Sequence, residues 1–165
     1  MSFPFMPAFN PSKSSGTFTG FAGAIFTVPS GITSVSVSLS GAGGGGGAPL
    51  GGASGGRGGN GALVKKTDLS VVPGEELMVV GGAGGDPGRA GSQILFRRGA
   101  TTLMSASAGG AGRNAYKAPD EPVYYPGFPG ADGSTGTGGT VTAGYGAGGG
   151  GSGSKGANGY VKISW

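Results

Sequence analysis

The residues of this chain best suited to contact another molecule are four aromatic side chains, Tyr116, Tyr124, Tyr125 and Phe128. They lie within residues 113–132, a segment that also contains four prolines. Aromatic rings on a backbone stiffened by proline lose little conformational entropy on binding, and they suit sugar rings or protein pockets. We interpret this segment as the candidate binding site for a receptor or partner. The alternative, given equal weight, is that the rings pack over the end of the fold or against a second subunit.

Acid–base or metal-assisted catalysis is not indicated. The chain contains no cysteine and no histidine, which removes thiolate nucleophiles, disulfides, histidine bases and zinc sites of the usual kind. Its 7 Asp and Glu residues form no paired motif. We therefore predict that the protein is not an enzyme and that it uses no cofactor and no metal.

Three glycine-containing motifs that bind ligands in other proteins are incomplete here. Residues 41–46 match the G-x-G-x-x-G pattern, but a dinucleotide site also needs a following helix and an acidic residue, and neither is present. Residues 81–86 contain one copy of a calcium-binding repeat that works only when several copies stack. Residues 152–156 lack the G-K-[ST] order of a phosphate-binding loop. We interpret all three as structural.

Glycine accounts for 43 of the 165 residues and is gathered into tracts. Collagen places glycine only at every third position, and Gly43–Gly47 has no such period. Global disorder is disfavoured because only 11% of the residues are charged and the apolar segments alternate as strands do. Since long structureless loops are rare in compact domains, we predict ordered polyglycine II helices, which are extended, threefold and bonded to one another through their backbones.

The apolar segments predict an all-β fold, a small antiparallel β-sandwich with glycine-rich, partly polyglycine-II-helical connections. We expect strands at residues 17–28 (one or two short strands), 32–40, 62–66, 76–80, 92–97, 101–104 and 160–165, with residues 69–72 leading into a turn at Pro73-Gly74. The glycine tracts between them are residues 41–61, 81–91, 108–112 and 133–159. Residues 17–165 are predicted to form one domain.

Residues 1–16 differ in composition from the rest of the chain. Four large apolar side chains, Phe3, Phe5, Met6 and Phe9, are interspersed with prolines. Proline disfavours a helix here and favours an extended arm. An extended apolar arm cannot bury itself, so we predict that it docks on a partner or a neighbouring subunit. The alternative is a flexible terminus.

Charge and hydropathy limit the classes of partner. The net charge is +4, but the 11 Lys and Arg residues are scattered rather than clustered, so nucleic-acid binding is not expected. No apolar run is long enough to span a membrane, and the N-terminus lacks the features of a signal peptide. The absence of cysteine suits assembly in a cytosol.

Five segments together carry a resemblance to a known family. They are Phe26–Val37, Gly41–Gly47, Leu69–Glu75, Val79–Gly85 and Gly159–Ile163. In combination they resemble a glycine-rich domain family that is common in bacteriophage virion proteins, including tail-fibre tips, adhesins and other appendage proteins. The resemblance covers residues 17–165 and implies a β-sandwich whose connections include polyglycine helices.

The resemblance also implies a function. It indicates a non-enzymatic virion structural protein, a tail-fibre, tail-tip or spike component whose loops contact the host surface. The aromatic segment would then face a host surface glycan or an outer-membrane protein, and Phe3, Phe5, Met6 and Phe9 would anchor the protein to other virion proteins. The protein would be located in the virion after assembly in the host cytoplasm.

Virion appendages are symmetric, so a homo-oligomer is expected, with a trimer favoured. Two alternative functions stay open at this point. The protein could be a capsid or tail decoration protein, such as a cement or head-fibre protein, that has no receptor. A weaker alternative is a cellular surface adhesin, which would need an export route.

Overall fold

The chain folds into twelve β-strands in the computed structural model, which describes residues 15–146, 148–149 and 152–165. No helix long and apolar enough to cross a membrane occurs within these ranges. In chain order the strands are β1 Thr17–Gly20, β2 Ile25–Thr27, β3 Ser34–Ser40, β4 Gly61–Ser70, β5 Glu76–Gly81, β6 Ile94–Arg98, β7 Thr101–Ala106, β8 Tyr116–Lys117, β9 Tyr124–Tyr125, β10 Gly136–Thr137, β11 Thr140–Gly146 and β12 Tyr160–Ser164.

Ten of the strands form two antiparallel five-stranded sheets. The first sheet has the order β1-β12-β3-β4-β11, and the second has the order β10-β7-β6-β5-β2. The remaining strands, β8 and β9, pair with each other as a small ribbon outside both sheets. The predicted all-β antiparallel sandwich is confirmed.

The hydrophobic core lies between the two sheets and follows directly from strand alternation. In β3, Val35, Val37 and Leu39 are at most 2% exposed, whereas the intervening serines Ser34 and Ser36 face solvent. The same period of two buries the inward residues of the second sheet, because successive side chains in a strand point to opposite faces. These buried residues of the second sheet include Phe26, Leu77, Val79, Ile94, Phe96 and Met104.

Two sequence predictions need correction. The strand predicted at residues 62–66 does not end there, because β4 runs through from Gly61 to Ser70. Asp68 has a positive φ of 56° near the point where the register between β3 and β4 shifts, and this irregularity lets one strand continue. Residues 133–159 were predicted as one glycine tract, but they contain β10 and β11; the β-branched run 140–142 pairs with β4 instead.

All the glycine tracts leave the same end of the sandwich. The strands β3, β5, β7 and β11 run towards this end and continue into glycine-rich segments. The chain returns from those segments into β4, β6, β10 and β12. The tracts therefore lie side by side as a bundle that extends beyond one end of the two sheets; we call it the glycine bundle.

The described chain begins and ends at the opposite end of the sandwich. Gly16 and Trp165 exchange two backbone hydrogen bonds, of 3.0 and 3.1 Å. These bonds extend the antiparallel pair of β1 and β12 by one residue. Trp165 in turn packs against Phe26 of β2, with their ring centroids 5.4 Å apart. Residues 1–14, which include the predicted anchoring side chains Phe3, Phe5, Met6 and Phe9, lie outside the described part of the chain.

Candidate functional site: the glycine bundle and its aromatic tip

The tract Gly41–Gly47 occupies the centre of the glycine bundle and is buried along its whole length. Every backbone N–H from Gly43 to Gly47 donates a hydrogen bond of 2.8–2.9 Å to a carbonyl of another segment. N–H groups three residues apart point in the same direction and donate to the same neighbouring segment. In order, the acceptors for Gly43 to Gly47 are the carbonyls of Ala157, Gly59, Arg89, Ser154 and Gly56.

The carbonyl groups of the central tract are bonded in the same threefold manner. In order, the carbonyls of Ala42 to Gly46 accept from the N–H groups of Gly109, Gly85, Gly149, Gly112 and Gly88. None of Gly43–Gly47 has a positive φ. Extended backbone with a period of three and no internal hydrogen bonds is the geometry of the polyglycine II helix. The prediction of ordered polyglycine helices agrees with this arrangement.

Side chains are excluded from the central tract by neighbouring backbone. A Cβ at Gly44 would collide with the carbonyl of Gly110, and one at Gly47 would collide with the carbonyl of Arg113. Glycine therefore permits the close approach that allows backbones to bond directly to each other. Here the packed interior consists of peptide groups.

In the outer tracts glycine occupies the positions that face a neighbouring tract, and residues with side chains occupy the positions that face solvent. Residues 55–61 read Gly-Gly-X twice, with Arg57 and Asn60 at the third position; Arg57 is exposed, whereas Gly56 and Gly59 are buried. In residues 127–133 glycine occurs only at every third position, and those three N–H groups donate to the carbonyls of Ser54, Arg57 and Asn60. This period of three is present in the sequence, but it was considered above only for Gly43–Gly47, which lacks it.

The ribbon β8–β9 lies at the end of the bundle farthest from the sandwich. Its two strands pair Tyr116 with Tyr125 and Lys117 with Tyr124. The backbone just before the ribbon bonds to the turn at residues 48–54, through a hydrogen bond of 2.9 Å from Ala115 N–H to the Ala48 carbonyl. We call this end, formed by residues 48–54 and 114–126, the aromatic tip.

Three of the four predicted binding residues come together at the aromatic tip. The rings of Tyr116 and Tyr125 stack, with centroids 5.5 Å apart and planes inclined by 22°. Lys117 Nζ lies 5.9 Å from the centroid of the Tyr124 ring. That ring covers Gly51, since a Cβ built on Gly51 would collide with it. Phe128 follows in the next tract, where it is 63% exposed.

The phenol of Tyr125 lies next to an acidic side chain at the tip. Its hydroxyl donates a hydrogen bond to a carboxylate oxygen of Glu121. This bond is the main reason that the pKa of Tyr125 is raised above the usual value of 10; partial desolvation and the nearby Tyr116 act in the same direction. The bond ties β9 to the turn before it and so helps to fix the stacked pair.

The position of the rings bears on one part of the alternative interpretation, which is packing over the end of the sandwich. Tyr116 is 46% exposed and Tyr124 is 39% exposed, while Tyr125 is half-buried. The rings do not pack over the end of the sandwich, because the glycine bundle separates them from it. What they offer is an apolar surface with hydroxyl groups and one lysine, suited to stacking on a partner. Packing against a second subunit stays open.

No group of three or more acidic side chains that could hold a metal ion occurs among the described residues. No protein-family model matches the chain, and no curated protein matches it either. The resemblance to the phage glycine-rich family therefore rests on the segments quoted above.

Proposed function

We propose that this protein is a non-enzymatic structural component of a bacteriophage virion, and that it acts in a tail fibre, tail tip or spike by contacting the host surface. The observation that carries the proposal is that the exposed rings and the start of the described chain lie at opposite ends of the molecule. The exposed rings lie at one end, beyond the glycine bundle, and the described chain starts at the other end, where Gly16 pairs with Trp165. Such a molecule can be attached at one end and bind at the other.

The glycine bundle supports this role because its hydrogen-bonded tracts project the tip away from the sandwich. At about 3.1 Å per residue, a seven-residue polyglycine helix extends about 20 Å. The central tract is bonded to its neighbours in three directions, and at the tip the Asn114 side chain adds a hydrogen bond from Ala48 N–H. A preorganised surface loses less entropy on binding than a mobile loop does.

The chemistry of the tip favours a host surface glycan or an outer-membrane protein as the partner. The ring faces of Tyr116 and Tyr124 can stack on the apolar face of a sugar, and phenol hydroxyls and Lys117 can bond to hydroxyl or carboxylate groups. The same surface would also fit a shallow protein pocket, since tyrosine serves both types of contact. In this proposal the protein is located in the virion, assembled in the host cytoplasm.

Binding of the purified protein to intact bacterial cells tests the proposal. We expect Tyr124→Ala/Tyr125→Ala to lose at least tenfold in cell binding, because the change removes two adjacent rings of the tip. Val72→Ala is the matched control, because Val72 is 63% exposed in a turn at the other end of the sandwich. It should bind like the unmodified protein.

A folded protein that binds no cells in either form would contradict a receptor-binding role. That result would favour a capsid or tail decoration protein, in which the exposed rings are covered by neighbouring copies. Equal loss of binding by the tip variant and by Val72→Ala would instead show that the rings are not the contact site.

A further inference from the structure

The outer surfaces of the two sheets differ sharply in polarity. On the first sheet the outward side chains of β3 and β12 are mostly serines: Ser34, Ser36, Ser38, Lys162 and Ser164, with Tyr160 at the end next to the glycine bundle. Cross-strand pairing places them side by side, with Ser38 opposite Lys162 and Ser36 opposite Ser164. This polar face has the composition expected of a surface in contact with water.

The outer surface of the second sheet carries a cluster of apolar side chains, bordered by Glu76 of β5 and by Arg97 of β6, which pairs with Met78. Ile25 of β2 pairs with Met78 of β5, and they are 52% and 39% exposed. In the next row Val80 of β5 pairs with Leu95 of β6, and both are half-buried. These four residues on three adjacent strands form one contiguous patch, which we call the apolar face.

The apolar patch contrasts with the opposite sheet of the same sandwich, whose outer surface is largely polar. Single exposed apolar residues are common, but contiguous ones mark contact sites. The alternation of β5 would accept a polar residue at position 78 or 80 without cost to the core, since both point away from it. The pattern therefore indicates a partner for this surface.

We propose that the apolar face is the docking surface for the N-terminal segment, residues 1–14, of a second copy of this chain. That segment supplies Phe3, Phe5, Met6 and Phe9, and Lys13 is its only charged side chain. Its prolines keep it extended, so it can lie along a sheet surface. The four members of the apolar face are uncharged, so the contact they offer is apolar, with Arg97 and Glu76 at its border.

The direction of the chain favours a second copy over the segment's own domain. β1 is antiparallel to β12, and the pair continues to Gly16 and Trp165 at the sandwich end. At Gly16 the described chain runs along the axis of β1, at the edge of the first sheet and at the end of the sandwich. Docking on the outer surface of the second sheet of the same domain would need a turn back from this point, whereas docking on a neighbour would need none.

The length of the segment is sufficient for such an exchange. Fourteen extended residues span at most about 46 Å. The three strands of the apolar face cover about 10 Å in width, and the six residues of β5 about 20 Å in length. An arm from one copy that binds the sheet of the next copy makes a head-to-tail interface, which closes into a ring if the rotation permits.

Sedimentation of the full-length protein tests this inference independently of any cell binding. We expect an oligomer whose self-association weakens at least tenfold in Met78→Glu and in a variant lacking residues 2–12. Ser36→Glu is the matched control on the polar face and should associate like the unmodified protein. A thermal melt of each variant shows whether it is folded, and Met78→Ser is the milder substitution if Met78→Glu unfolds.

A second measurement uses a synthetic peptide of residues 1–14. It should bind the variant lacking residues 2–12 and should fail to bind when Met78→Glu is added. A monomeric full-length protein would overturn the inference, because the segment would then serve its own domain or another partner. An oligomer that survives removal of residues 2–12 would also overturn it, since two apolar faces would then be in contact with each other.

Discussion

Gly44 and Gly31 are needed for different physical reasons. Gly31 has a φ of 78° and open space around its Cα, so its glycine serves the backbone conformation of a turn. Gly44 has an ordinary negative φ, which any residue can adopt, but a Cβ there meets the carbonyl of Gly110. Replacement at Gly44 therefore separates two bonded backbones, whereas replacement at Gly31 strains a single residue.

Gly44→Val should be strongly destabilising. Its side chain would force apart the central tract and the segment that contains Gly110, and the hydrogen bonds around Gly44 would be lost with it. We expect a loss of more than about 3 kcal/mol in the free energy of unfolding, or roughly a 10 °C fall in Tm for a chain of this size. Differential scanning calorimetry measures both.

Ala83→Val is the matched control for this substitution. Ala83 lies in a glycine tract but is exposed, so its extra methyl groups should point into solvent and leave Tm within a degree or two. A small effect of Gly44→Val, equal to that of the control, would show that the central tract is loosely held.

The phenol of Tyr125 should ionise at a higher pH than an ordinary tyrosine. The Tyr125 hydroxyl donates a hydrogen bond to the carboxylate of Glu121. This bond favours the neutral phenol over the phenolate and so raises the pKa of Tyr125. The bond therefore contributes to stability below the ordinary tyrosine pKa of about 10, and this contribution is lost as pH rises through the raised pKa. Glu121→Gln should lower that pKa in an ultraviolet titration, and Tyr124→Phe should leave it unchanged.

At the scale of the element, the bundle is completed by side-chain oxygens where a backbone partner is missing. The carboxylate of Asp132 accepts from Asn60 N–H at 2.6 Å, and the amide oxygen of Asn60 accepts from Gly148 N–H at 2.8 Å. The amide oxygen of Asn114 likewise accepts from Ala48 N–H at 2.8 Å. Asn60 shows that the third position of a Gly-Gly-X triplet can also carry a polar side chain that accepts from a neighbouring tract.

Asp132→Ala should cost about 1 kcal/mol, because Asn60 N–H loses its acceptor. The corresponding fall in Tm is roughly 3 °C. Asp132→Asn retains a side-chain oxygen at the same place and should recover most of this loss. Equal destabilisation by both substitutions would show that the negative charge matters rather than the acceptor.

Most strands of the sandwich were predictable from the sequence, but β8 to β11 and the arrangement of the bundle were not. Alternation at Val35, Val37 and Leu39 specifies which face of β3 is buried, and the turn at Pro73-Gly74 separates β4 from β5. A glycine tract has no side chains, so nothing in it indicates that Gly43 bonds to Ala157 or Gly44 to Gly59. Such long-range pairs are selected only by the strands that carry the tract ends.

The candidate site was predicted in composition but not in geometry. The four aromatic residues were recognisable, yet prolines around them obscured the two-residue strands that pair Tyr116 with Tyr125. Their exposure could not be deduced, because it depends on the length of the bundle beneath them. The apolar face was hidden for a related reason, since Met78 and Val80 continue an apolar run that reads as fully buried strand.

At the scale of the whole molecule, the sandwich and the bundle form one cooperative structure. Each tract begins or ends in a strand, and the central tract bonds to segments that flank β4, β6, β7 and β12. Loss of the sandwich would release the tract ends and with them the register of the bundle. We therefore expect the two parts to unfold together.

Amide hydrogen exchange tests this cooperativity. The N–H groups of Gly44–Gly47 are buried and bonded, so they should exchange as slowly as that of Val79 in the core, through global unfolding only. Gly99, in the exposed turn between β6 and β7, is the unprotected reference. Fast exchange at Gly44–Gly47 with slow exchange at Val79 would separate the bundle from the sandwich.

The direction of the hydrogen bonds in the bundle has a mechanical consequence. Tension between an attached sandwich end and a bound tip would run along the tracts. The bonds of Gly43–Gly47 reach sideways to neighbouring tracts, across the line of that force, so they would be loaded in shear and would have to break together. A bundle bonded in this way resists pulling along its length far better than a chain of side-chain contacts peeled apart one at a time.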